Sequence, residues 1–320
     1  MKLQEIYQLM VSMGVDADPR GRQQVESQLA ERQKEYEKLK EAEREDYNID
    51  SLQNPYSDTA ILYGDGNRQV KRLLVGIDVE VGEVLLADRL REKGNPIDLV
   101  VAHHPEGKAL SALHQVMHMQ EDLLHRLGVP VNVAEGIMAS RIGEVKRGLA
   151  PLNHNRAVDA AAILDLPIMC VHTPADNQVQ TFLQRMIDER NPQKVSDILK
   201  LLKEIPEYKS AAKRGSGPTL FAGRKDGRCG KVVVDMTGGT SGSEEAYAKL
   251  AQAGVGTIVG MHMGEKHRKE AEKYHINVVI AGHMASDSLG MNLLLDALER
   301  QGLEIVPCAG MIRFSRNIKG

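Results

Sequence analysis

From residue 70 onward the chain alternates short apolar runs with stretches of helical period. The runs are RLLVGI (72–77), IDLVVA (97–102), LPIMCV (166–171), KVVVDM (231–236), GTIVGM (256–261) and INVVIA (276–281). They are rich in Val and Ile and mostly lack polar alternation, as strands covered on both faces do. Between the first two, VGEVLLADRLREKG sets Val84, Leu85, Ala87 and Leu90 on one face and stops at Gly94, which predicts a helix linking parallel strands. The expected class is α/β. The stretch PTLFAGRKDGRCGKVVV predicts a hairpin turning at Asp226 and Gly227, so the sheet is expected to be mixed.

The segment from Lys231 repeats the layout of the segment from Leu73: strand, polar or glycine turn, helix closed by glycine, strand, then histidine. Such a repeat predicts two similar α/β halves, 59–190 and 191–320, with a seam near 190–215 where NPQ and KRGSGP interrupt the pattern. Residues 1–58 differ. Between Glu31 and Asp46 twelve of sixteen residues are charged, and Val25, Leu29, Tyr36 and Leu39 form only a narrow seam. With the helix carrying Leu3, Ile6, Leu9 and Met10, this reads as a helical N-terminal extension that contributes little burial.

Composition narrows the function classes. The chain has 320 residues, and its 41 basic and 44 acidic side chains give a net charge of -3, so no global positive field draws nucleic acid or an anionic membrane. No window approaches the roughly 18 unbroken apolar residues of a membrane span, and the first twenty positions lack a secretory apolar core. A cytoplasmic location is the expectation. Cys170, Cys229 and Cys308 are odd in number and far apart, which supports neither a disulfide framework nor a CxxC metal knuckle.

The candidate chemistry collects just past the strands. Of eleven histidines, His103, His104, His172, His262 and His283 follow a predicted strand directly, as Asp78 also does. Ligands in open α/β sheets bind outside the carboxyl ends of strands. Adjacent side chains on a straight strand point to opposite faces, so His103 and His104 can address two ions, or one ion from a turn, although alone the pair reads equally as a surface feature. VHTPADN sets Asp176 four residues after His172 on a proline-containing loop, and AGHMASDSLGMN sets Asp287 four residues after His283. A helix starting near Ser286 would hold Asp287 in its first turn, where the dipole favours a carboxylate. Together these residues offer mixed nitrogen and oxygen ligands for two divalent transition-metal ions such as zinc, iron or manganese. His114, His118, His154, His267 and His275 read as structural or solvated, and TGGTSGSEE (237–245) as a close-packed turn.

The ordered motifs VAHHP, VHTPADN, MTGGTSG and AGHMASDSLGMN resemble the Nif-three-like family, whose members often carry the label of GTP cyclohydrolase I type 2 homologues. The resemblance covers about residues 60–315. It implies a duplicated α/β fold, a dinuclear metal site and a homo-oligomer, often a ring-shaped hexamer. Carried over, it assigns metal ligands to His103, His104, Asp176, His283 and Asp287. The family commonly has glutamate where this chain has Asp287, and a threonine-glycine-glutamate where VGMHMGE here offers His262 and Glu265. The expected activity is hydrolysis of a nucleotide or another small phosphorylated or heterocyclic substrate. His172 or His262 would act as orienting residue or proton carrier. The alternative is a non-enzymatic metal-binding regulatory or scaffold protein.

Overall fold

The computed structural model describes residues 1–317. Three helices open the chain: α1 (Leu3–Asp16), α2 (Arg22–Lys38) and the short α3 (Glu41–Glu45). The first α/β repeat runs β1 (Ala60–Tyr63), β2 (Arg72–Gly76), α4 (Val81–Glu92) and β3 (Leu99–Ala102). Four helices follow, α5 (Gly107–Val116), α6 (Met119–Leu127), α7 (Val131–Leu149) and α8 (Arg156–Ile163), before β4 (Ile168–Cys170) and the long α9 (Thr173–Arg190). Helices α10 (Val195–Leu202) and α11 (Pro206–Lys213) lead into the second repeat. It comprises β5 (Thr219–Ala222), β6 (Lys231–Asp235), α12 (Ala246–Gln252), β7 (Val255–Gly260), α13 (Glu265–Lys273), β8 (Asn277–Ile280) and α14 (His283–Arg300), and β9 (Glu304–Cys308) comes last.

The duplication shows in the strand order. The sheets are β1-β4-β3-β2-β9 and β5-β8-β7-β6, so the four strands of each repeat occupy the same order. In both, the first strand is antiparallel to the fourth, while the second, third and fourth run parallel. The predicted hairpin at Asp226 does not form between β5 and β6. A turn is present, with Gly227 N donating to Arg224 O, but β5 pairs with β8 and β6 lies at the opposite edge. The link crosses the ends of β8 and β7, where Asn277 Nδ2 donates to Arg228 O at 3.2 Å and Gly256 O at 3.0 Å. Adjacent strands in sequence are thereby separated by two parallel neighbours, an arrangement a local turn signal does not report.

The free edges of β2 and β6 are closed differently. Strand β9 pairs with β2 in parallel, so the C-terminal strand lies in the first sheet. At β6 two side chains of α9 take the place of a strand. Gln184 Oε1 accepts from Val234 N at 2.9 Å, and Gln180 Oε1 accepts from Met236 N at 2.8 Å. Gln184 Nε2 donates to Val232 O at 3.2 Å.

The N-terminal segment departs from its expected role. Leu3, Ile6 and Met10 are fully buried, and they join Val171, Ala175, Met291 and Leu294 in one hydrophobic cluster. The apolar positions of α1 recur every three or four residues and extend to Tyr7, Val11 and Val15, which widens the stripe into a core face. Helix α2 keeps the narrow seam, with Val25 its buried residue. Met10→Ala is therefore expected to destabilise the protein by about 2–5 kcal/mol. Leu29→Ala, on α2, is expected to cost about 1 kcal/mol or less. Urea unfolding of the two variants checks the contrast, and equal small losses would show that α1 is dispensable.

Candidate metal centre

The parallel strands of both sheets deliver their polar residues to one place. His103 and His104 continue β3, with His103 N donating to Gly76 O and His104 N to Ile77 O. Asp176 lies in the first turn of α9 and not on a loop, because Pro174 fits a helix start, where its missing N–H is no loss. Helix α14 likewise begins at His283, earlier than the expected Ser286, so Asp287 lies one turn into the helix on the same face as His283.

These side chains converge from the two repeats. His103 Nε2 is 3.5 Å from Asp176 Oδ1 and 3.6 Å from Asp287 Oδ1. The second carboxylate oxygen of Asp287 is 3.6 Å from His104 Nε2 and 3.5 Å from His283 Nε2. Such separations exceed a hydrogen bond. They match neighbouring ligands of one ion, which stand about 3.4 Å apart when bonds of about 2.1 Å meet at tetrahedral angles. His103, Asp176 and Asp287 form one group that could hold a metal ion, and His104, His283 and Asp287 another. A third group joins His172 to His103 and His104.

Two observations test whether a cation fits. Asp176 Oδ1 and both side-chain oxygens of Asp287 are buried without a hydrogen-bond partner, which is costly unless positive charge meets them. The imidazoles are also held from behind. His103 Nδ1 donates to Val171 O at 3.0 Å, and the Nδ1 atoms of His104 and His172 bond to Asp78 at 2.6 Å and to Asp58 at 2.8 Å. Because a carbonyl or carboxylate only accepts, each Nδ1 is the donor, and Nε2 is the atom turned to the cluster. The residues fit divalent ions.

Asp58, at the end of the segment read as the N-terminal extension, is also a site residue. It is fully buried and also accepts from Thr173 Oγ1 at 2.7 Å. Nothing in its local pattern distinguishes it, since its partner lies 114 positions away. Asp78 did carry a signal, its place at a strand end. His262 is exposed and outside the three groups, with its ring centroid 4.7 Å from that of His283. The remaining histidines stand apart from the cluster: His118 pairs with Glu121, His154 Nε2 donates to Leu149 O, and His267 Nε2 donates to Gly242 O. The turn at 237–245 is close-packed as expected, since Gln120 Nε2 donates to Gly238 O at 2.6 Å and Thr240 O at 2.7 Å. Thr237 Oγ1 donates to Asn177 Oδ1 at 2.7 Å, which fastens this turn to the helix carrying Asp176.

Electrostatics separate the groups. Burial holds the His103 imidazole down at about 4. Burial would also lower His172, but the carboxylates of Asp176 and Asp58 outweigh it and bring the group to about 9. Burial pushes Asp176 up to about 8 against the pull of His172. Burial likewise opposes the charge on Asp287, yet His103, His104 and His283 hold it below the usual carboxylate range. The cluster opens into a cleft of about 90 Å3, bordered by His172, His262, His283 and the turn from Thr237 to Gly242.

A duplicated α/β protein with a His/Asp cluster where its halves meet is thus defined. Among solved structures, a NIF3 superfamily protein from Sphaerobacter thermophilus is 26% identical, with 80% of this chain and 92% of that one covered at a TM-score of 0.69. Reduced HcgD from Methanocaldococcus jannaschii is 14% identical, covering 78% of this chain and 88% of its own at a TM-score of 0.49. A Bacillus cereus protein related to NIF3 is 12% identical, covering 81% and 92% at a TM-score of 0.40. The last two add nothing to the likeness of the first. No family model and no curated protein matches the chain. The chain is a Nif-three-like protein in its fold, as its ordered motifs indicated. Among the described residues, no helix is long and apolar enough to cross a membrane.

Two expectations follow for the site. The first concerns pH. In metal-free protein Asp176 and His172 are raised to about 8 and about 9, so the folded state holds protons that the unfolded chain releases. His172 therefore contributes stability below its ordinary 6.5 and loses it as pH rises through about 9, and Asp176 acts in the same direction up to about 8. The lowered His103 and Asp287 act in the opposite direction only below about 6.5. The melting temperature of chelated protein should fall between pH 6.5 and pH 9, and added metal should flatten that fall. A flat profile for the chelated protein would contradict the linkage. The second concerns Gly290, where an added Cβ would lie 2.2 Å from Ala175 O. Gly290→Ala should spread α9 from α14, cost about 1–3 kcal/mol or more, and reduce bound metal by elemental analysis.

Proposed function

We propose that this protein is a metal-dependent hydrolase acting on a nucleotide or another small phosphorylated or heterocyclic substrate. The observation carrying this reading is the combination of partnerless carboxylate oxygens with an adjoining cleft that a small molecule can enter. In this reading His103, His104, Asp176, His283 and Asp287 would hold two divalent ions. The ions would polarise a scissile bond and make water a stronger nucleophile. The chain's own groups do the rest. Asp58 and Asp78 fix the rings of His172 and His104, so the nitrogens facing the cluster do not reorient during turnover. His172, backed by Asp58, is suited to carry a proton at Nε2, whose distance to Asp176 Oδ2 is 3.7 Å. His262, exposed beside His283, serves as the proton carrier nearer the cleft mouth.

Full-length protein loaded with zinc, iron or manganese should take up about two ions per chain. It should release phosphate or formate from a panel of nucleotide monoesters, diesters and GTP. Chelation should abolish turnover, and Asp287→Asn, His104→Ala and His283→Ala should lose both metal and activity. Fully loaded protein that turns over no member of the panel would overturn the enzymatic reading in favour of a regulatory metal-binding role.

A further inference from the structure

Beside the metal cleft lies a second cavity, of about 280 Å3, whose wall is mostly apolar. It is formed by Leu123 and Leu124 of α6, Met138 of α7, Val233 of β6, and Ala246 and Leu250 of α12. The two spaces adjoin: Gln120, Asp235, Gly242, Tyr247, Ile258 and His267 border both. The second is a half-open groove, with the exposed Arg126 at its edge. A mostly apolar chamber with a few converging polar groups is the usual form of a small-molecule site.

Asp235 lies at the border of the two spaces. It ends β6, where it pairs with Gly260, and among the described residues its exposed side chain has no hydrogen bond or ion pair. It borders the cavity close to His262 and His267. An exposed carboxylate without a protein partner at this border can accept from a donor on the ligand. The ring of Tyr247 beside it, 5.9 Å from that of His267, leaves this border flanked by aromatic surface.

The geometry points to an amphiphilic substrate. Its phosphorylated head lies at the His/Asp cluster, an N–H or O–H donor at its junction meets Asp235, and an alkyl or aryl portion fills the chamber between α6, α7 and α12. This rests on the hydrolase reading and narrows it: of the phosphorylated compounds the cluster suits, the chamber selects those with an apolar portion. A purely hydrophilic molecule would leave that portion of the cavity unfilled.

The test uses full-length, metal-loaded protein and two probes, N-octanoyl phosphoethanolamine and N-acetyl phosphoethanolamine, titrated by calorimetry. Both offer a phosphate and an amide N–H, and they differ in the tail. The octanoyl compound should bind at least about a hundredfold more tightly, given the burial of its extra methylenes. Ala246→Phe, which fills the chamber, should erase most of that advantage while leaving metal content and N-acetyl binding unchanged. Leu123→Trp, at a half-buried position on the same wall, makes the same test should the phenylalanine variant not fold. Asp235→Ala should weaken both probes by about tenfold. Equal affinity for the two probes, or an octanoyl advantage that survives the filled chamber, overturns the proposal. Because binding is read without turnover, that failure is separable from failure of the hydrolase reading, which is judged by catalysis in metal-loaded protein.

Discussion

The close crossing of α9 and α14 is the contact on which the site depends. At Gly290 the backbone of α14 comes so near Ala175 that a methyl group has no room. The neighbouring positions are Asp176 on one helix and Asp287, a turn away, on the other. The two carboxylates therefore lie together because two backbones do. On its other side α9 is pressed by α1, where a Cβ on Gly14 would lie 2.6 Å from Pro174 Cβ. Helix α9 is thus confined from two directions at the turn that bears its carboxylate, which is how a fold holds charged groups that repel each other.

The internal repeat explains why this crossing falls where it does. Helices α9 and α14 are the last helices of their repeats and follow equivalent strands, β4 and β8. His172–Asp176 and His283–Asp287 share the same spacing but are offset by one residue between the copies, His172 capping α9 and His283 opening α14. His104 and His262 both lie two residues beyond equivalent strands, β3 and β7. The copies have diverged: the residue before His104 is another histidine, whereas the residue before His262 is Met261. The cluster accordingly takes its paired imidazoles from one copy and leaves His262 at its margin.

Much of this was legible in the sequence for a physical reason. A strand covered on both faces is apolar throughout, so its end is marked by the first polar residue, and those residues are the ones that gather at the site. All six apolar runs became strands, and the repeat was visible because both copies keep that punctuation. What escaped was non-local. Strand β5 shows a turn signal like that of a hairpin, yet its partner is β8, chosen by the parallel neighbours rather than by the turn. The burial of the apolar face of α1 depends on a groove made by α9 and α14, over a hundred residues later, and no stripe on α1 alone reports how deep that groove is. Asp58 escaped for the same reason, being a buried carboxylate whose purpose is set by His172.

The glutamines of α9 at the edge of β6 have a consequence beyond local bonding. A strand edge with unsatisfied amides is a template on which another chain can add its own strand. Here Gln180 and Gln184 present amide groups at the spacing of one helical turn and occupy the donors of Val234 and Met236. The helix that carries a carboxylate of the site is therefore also the guard against intermolecular sheet growth. Loosening of α9 would not only scatter the cluster but would uncover an aggregation-competent edge in the same motion.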